Sequence, residues 1–156
     1  MENETTIELF AGTKSNGEPV QEEVLVQPLE GDQYKVLQSP GFVLGIAAGD
    51  VIKLIPYSSG KFELLSRGGN ICIQIFKTSG TRDIKDACIK LSQPLGGRLD
   101  GWSEKQMVLT FPYKDGFQSI EQVMNGFSDN YPDFEWYYGN VYDTEDGETP
   151  LNWWEK

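Results

Sequence analysis

Histidine occurs nowhere in the 156 residues. That excludes Ser-His-Asp and Cys-His catalysis, His-containing zinc sites and any imidazole general base. An enzyme built on this chain would have to work with carboxylates, Lys, Tyr or Cys. Cysteine is nearly as scarce: Cys72 and Cys88 each fall inside an apolar segment, the pattern of buried thiols rather than of a disulfide framework or a metal site. No apolar run approaches the ~18 residues of a membrane span. The opening MENETTIELF is acidic where a secretory signal would place a positive charge and then an apolar stretch. The expectation is a cytoplasmic chain with no membrane partner.

Positive charge is the other scarcity, and it is unevenly distributed. Thirteen Lys and Arg stand against 24 Asp and Glu, for a formal charge of -11. Residues 1–32 hold eight acids and one base, and residues 115–156 hold ten acids and one base. Between them, residues 33–114 hold six acids and eleven bases. Two acidic ends repel nucleic acid and anionic membrane and attract a basic macromolecule.

What is present is a well-filled apolar pattern, 38% hydrophobic and 12% aromatic, enough to offset chain entropy. Residues 1–69 read as a small β-rich, barrel-like domain. Its strands are Thr6–Phe10, Glu23–Leu29, Tyr34–Leu37, Val51–Ile55 and Lys61–Leu65, separated by Gly, Pro, Asn and Ser turns. Ser39-Pro40-Gly41 breaks the third strand, because Pro fixes its own φ, restricts Ser39 and supplies no amide hydrogen. Phe42 to Ala48 then reads as a buried loop or a single helical turn.

Residues 70–142 change character. Ile71, Ile73 and Ile75 alternate with Cys72, Gln74 and Phe76, the pattern of a central strand buried on both faces. Ile84, Ala87, Cys88 and Leu91 predict one helix face, stopped by Pro94 and Gly96-Gly97. Ile120, Val123, Met124 and Phe127 predict a second, with Ser119 and Gln122 as a capping box. With strands at Arg98–Trp102, Met107–Phe111 and Phe134–Tyr138 the order becomes β-α-β-β-α-β, a ferredoxin-like unit in an α+β chain. Residues 143–156 form an acidic tail that ends in an apolar knot of Leu151, Trp153 and Trp154.

The segment LQSPGFVLGIAAGDVI, with Pro40, Phe42, Gly45, Gly49, Asp50 and Val51, resembles an uncharacterised bacterial family, one of the domains of unknown function. Leu95-Gly96-Gly97 and Phe111-Pro112 extend the likeness into the second half. The resemblance implies a two-part domain and assigns no activity.

Candidate site residues fall in the acidic, aromatic C-terminal part. Asp133, Glu135, Trp136, Tyr137 and Tyr138 interleave rings with carboxylates. Such rings stack bases only when cations surround them, so one face packs a core and the other suits protein recognition. Asp143, Glu145, Asp146 and Glu148 miss the EF-hand spacing and read either as a solvated acidic loop or as a docking surface. Trp153 and Trp154 either fold back or anchor a partner.

No cofactor, metal or catalytic residue is expected. The leading expectation is a non-enzymatic acidic protein that binds and neutralises a basic partner such as a bacterial nuclease toxin, an immunity-type inhibitor. The alternatives are a small-ligand-binding or regulatory domain using Arg67, Arg82 and Arg98, and a carboxylate-dependent enzyme.

Overall fold

The computed structural model describes residues 3–114 and 116–155, which form a β-rich α+β chain with nine strands in two antiparallel sheets. The first sheet is a meander of β1 (Thr5–Thr13), β2 (Pro19–Pro28), β3 (Gln33–Val36), β4 (Val51–Leu54) and β5 (Phe62–Ser66), paired in that order. β1 runs further than its alternating core predicts, because Gly12 at φ 132 absorbs a bulge opposite Val20 and lets pairing continue to Thr13.

The barrel expected for residues 1–69 does not close. β1 and β5 are the edges of an open ladder, and one hydrogen bond from Phe10 N–H to Gly60 O (2.9 Å) ties β1 to the β4–β5 turn. Closure is unnecessary because one face of the sheet is filled from within the chain. Leu9, Val24, Val26, Val36 and Ile52 pack around Val43 and Ile46, which come from the β3–β4 connection. Burial of each of those two side chains contributes ~1.5–3 kcal/mol.

The second sheet contains β6 (Asn70–Lys77), β7 (Arg98–Ser103), β8 (Gln106–Pro112) and β9 (Phe134–Tyr138) in the spatial order β7-β8-β6-β9, all neighbours antiparallel. Helices α1 (Lys85–Ser92) and α2 (Gln118–Asn130) cover one face, where Ile71, Ile73, Ile75, Met107, Leu109 and Phe111 meet Cys88, Ile120, Met124 and Phe127.

Two details of the helices differ from the periodicity. Ile84 at the N-cap of α1 and Cys88 and Ser92 within it are buried, while Ala87 and Leu91 face solvent. Gly97 sets its backbone against Ser92 and Phe111, where a Cβ would meet the Ser92 Cβ at 2.8 Å. The capping box at Ser119 is not formed: Phe117 is the N-cap and Ser119 lies inside the helix.

The opposite face of the second sheet is covered by the same β3–β4 connection, residues 37–50. Ala47 packs with Cys72 and Val108, and Gln74 Nε2 donates to Pro40 O and Val43 O at 3.2 Å each. The stretch is a loop rather than a helical turn, and it is the layer between the two sheets.

Candidate functional site

Alternation along β9 divides its rings. Phe134, Trp136 and Tyr138 turn toward the helices, whereas Glu135 and Tyr137 stand on the other face, with Tyr137 52% exposed. There Tyr137 lies 6.0 Å from Phe76 of β6, and Phe76 lies 6.0 Å from Phe42 of the inter-sheet loop. Phe42 is 53% exposed and Leu44 48%, although Val43 between them is fully buried. The expectation that Phe42 is buried is therefore corrected: the loop alternates, sending Val43 into the first core and Phe42 and Leu44 outward. The result is an aromatic row, Phe42–Phe76–Tyr137, exposed at both ends and half-buried at Phe76, with Glu135 at one end accepting the Tyr137 hydroxyl (3.2 Å).

This display stands on a fixed support. The Glu22 carboxylate of β2 accepts the backbone N–H of Gly41 (2.7 Å), Phe42 (2.8 Å) and Val43 (2.9 Å). Gln106 Nε2 donates to Gly41 O at 2.6 Å. At the start of the loop, Asp100 accepts Ser39 N–H (2.9 Å) and the Thr110 hydroxyl (2.6 Å), and its other oxygen takes Arg98 Nε (2.8 Å). At its end, Asp50 is fully buried and accepts Ala47 N–H, Gly68 N–H and Arg67 Nη1, while the same guanidinium nitrogen donates to Gly45 O. Burial pushes the Asp50 pKa up, against the pull of the Gly68 and Ala47 amides and of Arg67, and burial pushes Arg67 down. Gly49, at φ 94, brings its backbone against Gly68, where a Cβ would meet Gly49 C at 2.5 Å.

Beside the row lies a cleft of about 390 Å³ along the β9 edge, lined by Leu44, Trp136, Tyr137, Tyr138, Tyr142, Glu121 and Asp143 among others. Trp136 and Tyr138 meet edge to face at 5.0 Å, and Tyr138 and Tyr142 are tilted at 6.3 Å. The Tyr138 hydroxyl donates to Glu121 (2.7 Å), and burial followed by that carboxylate raises its pKa. The Trp136 indole N–H donates to Asn125 at 3.2 Å.

The remaining sequence candidates sort by what they hold. Asp133 clamps the loop after β6 by accepting Ser79 N–H (2.6 Å), with Lys77 Nζ 3.8 Å away; the Ser79 hydrogen bonds and Lys77 bring it down to about 2. In the acidic tail, Asp143 accepts Glu145 N–H, and Asp146 accepts the amides of Glu148 and Thr149 and the Thr149 hydroxyl, which lower it to about 2. Glu145 and Glu148 remain exposed. Trp153 and Trp154 fold back on Tyr113 and Phe117, the Trp153 indole donating to Asn140 O (2.8 Å).

Each of the three arginines expected to serve a small ligand pairs with a carboxylate of this chain. Arg67 pairs with Asp50, Arg98 with Asp100 and Arg82 with Glu104. Among the described residues, no group of three or more His, Cys, Asp or Glu is placed to hold a metal ion. Among the described residues, no helix is long and apolar enough to cross a membrane.

Sequence reasoning found Trp136, Tyr137, Tyr138 and Asp143 but missed Phe42, Leu44, Phe76, Tyr142 and Glu22. Period-two alternation in Phe42-Val43-Leu44 carries no signal when all three residues are apolar. Nothing local marks Glu22 as the partner of amides about twenty residues away.

A family model described as a domain of unknown function, DUF4265, matches residues 22–131. Among curated proteins nothing matches the chain. A solved structure, described as a hypothetical protein from Neisseria gonorrhoeae, superposes with a TM-score of 0.67 at 13% identity, over 89% of this chain and 94% of that one. At that identity the likeness concerns the fold.

Proposed function

The chain belongs to the DUF4265 family, a domain of unknown function, and on that premise we propose that it is a non-enzymatic acidic protein that binds and neutralises a basic protein, such as a bacterial nuclease toxin. The observation that carries the reading is the surface row Phe42–Phe76–Tyr137, with the Glu135 carboxylate at one end, on a loop held by the three amide bonds to Glu22. Aromatic anchors at the centre of a patch supply most of an interface's affinity, and the surrounding charge supplies rate and partner choice. A net charge of -11 attracts a cationic chain to the protein and raises its association rate. Because the loop is already held in place, little ordering entropy opposes association.

The same reading places the protein in the cytoplasm, as an immunity-type inhibitor of a toxin made alongside it. It also takes the β-α-β-β-α-β order of the second unit as a ferredoxin-like split βαβ arrangement, with recognition at the β9 side of its helix-free face, where Phe76 and Tyr137 meet the inter-sheet loop.

The test is affinity capture from native cytoplasm at low salt, with the product of the adjacent reading frame as the first partner assayed. Tyr137→Ala and Phe42→Ser should each weaken retention of that basic chain about thirtyfold, the scale of an interface hot spot of ~2 kcal/mol. Absence of any basic partner, or binding indifferent to both substitutions, overturns the reading.

A further inference from the structure

The cleft beside the aromatic row differs chemically from the row itself. Four rings, Trp136, Tyr137, Tyr138 and Tyr142, share it with two carboxylates, Glu121 and Asp143, and no Lys or Arg lines it. Every cation–carboxylate pair among the described residues lies elsewhere, at Asp50, Asp83, Asp133, Glu104 and Asp100. Glu121 and Asp143 thus carry negative charge into an aromatic cleft with no cation among the described residues lining it. Their hydrogen bonds come from neutral donors, the Tyr138 hydroxyl and the Glu145 amide.

Trp136, Tyr138 and Tyr142 are set at 82° and 60° to one another rather than stacked. Tyr137 adds a ring from the other face of β9, half-exposed, and a cation is attracted over a ring face while the carboxylates beside the rings add to that attraction. Thr144 closes the far wall, lying against Gly45 of the inter-sheet loop.

We infer that this cleft is the receptor for an arginine side chain of the partner, its guanidinium stacked on the Tyr142 ring and paired with Glu121 and Asp143. A planar guanidinium meets both demands of the site, since it stacks on an aromatic face and offers a fork of donors to carboxylates. A second copy of this chain is disfavoured as the occupant, because it would bring the same carboxylates and a like net charge to the interface. The inference rests on the reading that the partner is basic, and it names the group that the acidic side of the interface recognises.

The probe is the blocked tripeptide acetyl-Gly-Arg-Gly-amide, with acetyl-Gly-citrulline-Gly-amide as its neutral isostere, titrated into the full-length protein and followed by backbone amide NMR. The arginine peptide should give saturable shifts centred on Leu44, Tyr137 to Gly139 and Tyr142 to Thr144, and the citrulline peptide should bind about ten-fold more weakly. The double variant Glu121→Gln, Asp143→Asn removes both charges yet keeps an acceptor for the Tyr138 hydroxyl and the Glu145 amide. It should keep its fold and lose about ten-fold in arginine affinity. Equal binding of the two peptides, shifts scattered over the acidic surface without saturation, or full affinity in the double variant overturns the inference. Arginine binding without any basic protein partner would sink the proposed function and leave the cleft assignment standing. A basic partner bound equally by wild type and double variant would do the reverse.

Discussion

Removing the Glu22 carboxylate tests whether the inter-sheet loop is held or merely packed. Three amides converge on it, Gly41 on one oxygen and Phe42 and Val43 on the other. Hydrogen bonds to a charged group contribute ~1.5–3 kcal/mol each. The Phe42 amide sits in an exposed setting and regains water in Glu22→Ala, which leaves two part-buried donors without a partner. Two losses at the lower end of that range amount to ~3 kcal/mol. For a chain of this size that lowers the thermal midpoint by ~6–12 °C.

Glu22→Gln should lose about half as much, because an amide oxygen can keep Phe42 and Val43 while its NH2 faces the Gly41 donor. Urea denaturation gives the free energies, and hydrogen exchange should show the Gly41 and Val43 amides deprotected while Leu109 in the second core stays protected. A loss under ~1 kcal/mol in the alanine variant, or equal losses in both, would refute the reasoning.

Three further outcomes follow from the buried chemistry. Asp50→Asn should cost ~3–5 kcal/mol, measured by denaturation, because it leaves Arg67 partly buried without its countercharge. Cys72 and Cys88 should not react with a thiol reagent at pH 8 until the chain unfolds; both are fully buried, and burial raises both thiols, Cys88 to about 12. Asp133 and Asp146, lowered from 3.8 to about 2, add stability that is present above 3.8 and lost as pH falls through 2. Their carboxyl carbons should therefore titrate near 2 by NMR, and Thr149→Val should move the Asp146 midpoint up.

Much of the architecture was legible in the sequence because it is local. The Ile71–Phe76 alternation marked a strand buried on both faces, and β6 is that central strand. The turns at Gly31 and Gly60 fall where Gly and Ser residues placed them. What sequence could not supply was the tertiary use of residues 37–50. An apolar run interrupted by Pro and Gly has no period, so burial of Val43 beside exposure of Phe42 depends on which sheet lies on each side. Closure of the first sheet was likewise unreadable, since it turns on whether β1 reaches β5, two strands widely separated in sequence. For the site, the ring-and-carboxylate alternation of β9 was visible, while Asp133 and Asp146 revealed themselves as loop anchors only through the amides they accept.

That distinction directs the decisive experiment toward Glu135, Glu145 and Glu148, which are exposed and bind no backbone amide among the described residues. The measurement is the association rate of the basic partner with wild-type protein and with the Glu135→Lys, Glu145→Lys, Glu148→Lys variant, by stopped flow at two ionic strengths. If the acidic aromatic face recruits a basic protein, reversal should slow association about ten-fold or more at low salt and flatten its salt dependence, with the thermal midpoint unchanged. An unchanged association rate, or no basic chain that associates with the wild type, would contradict the account.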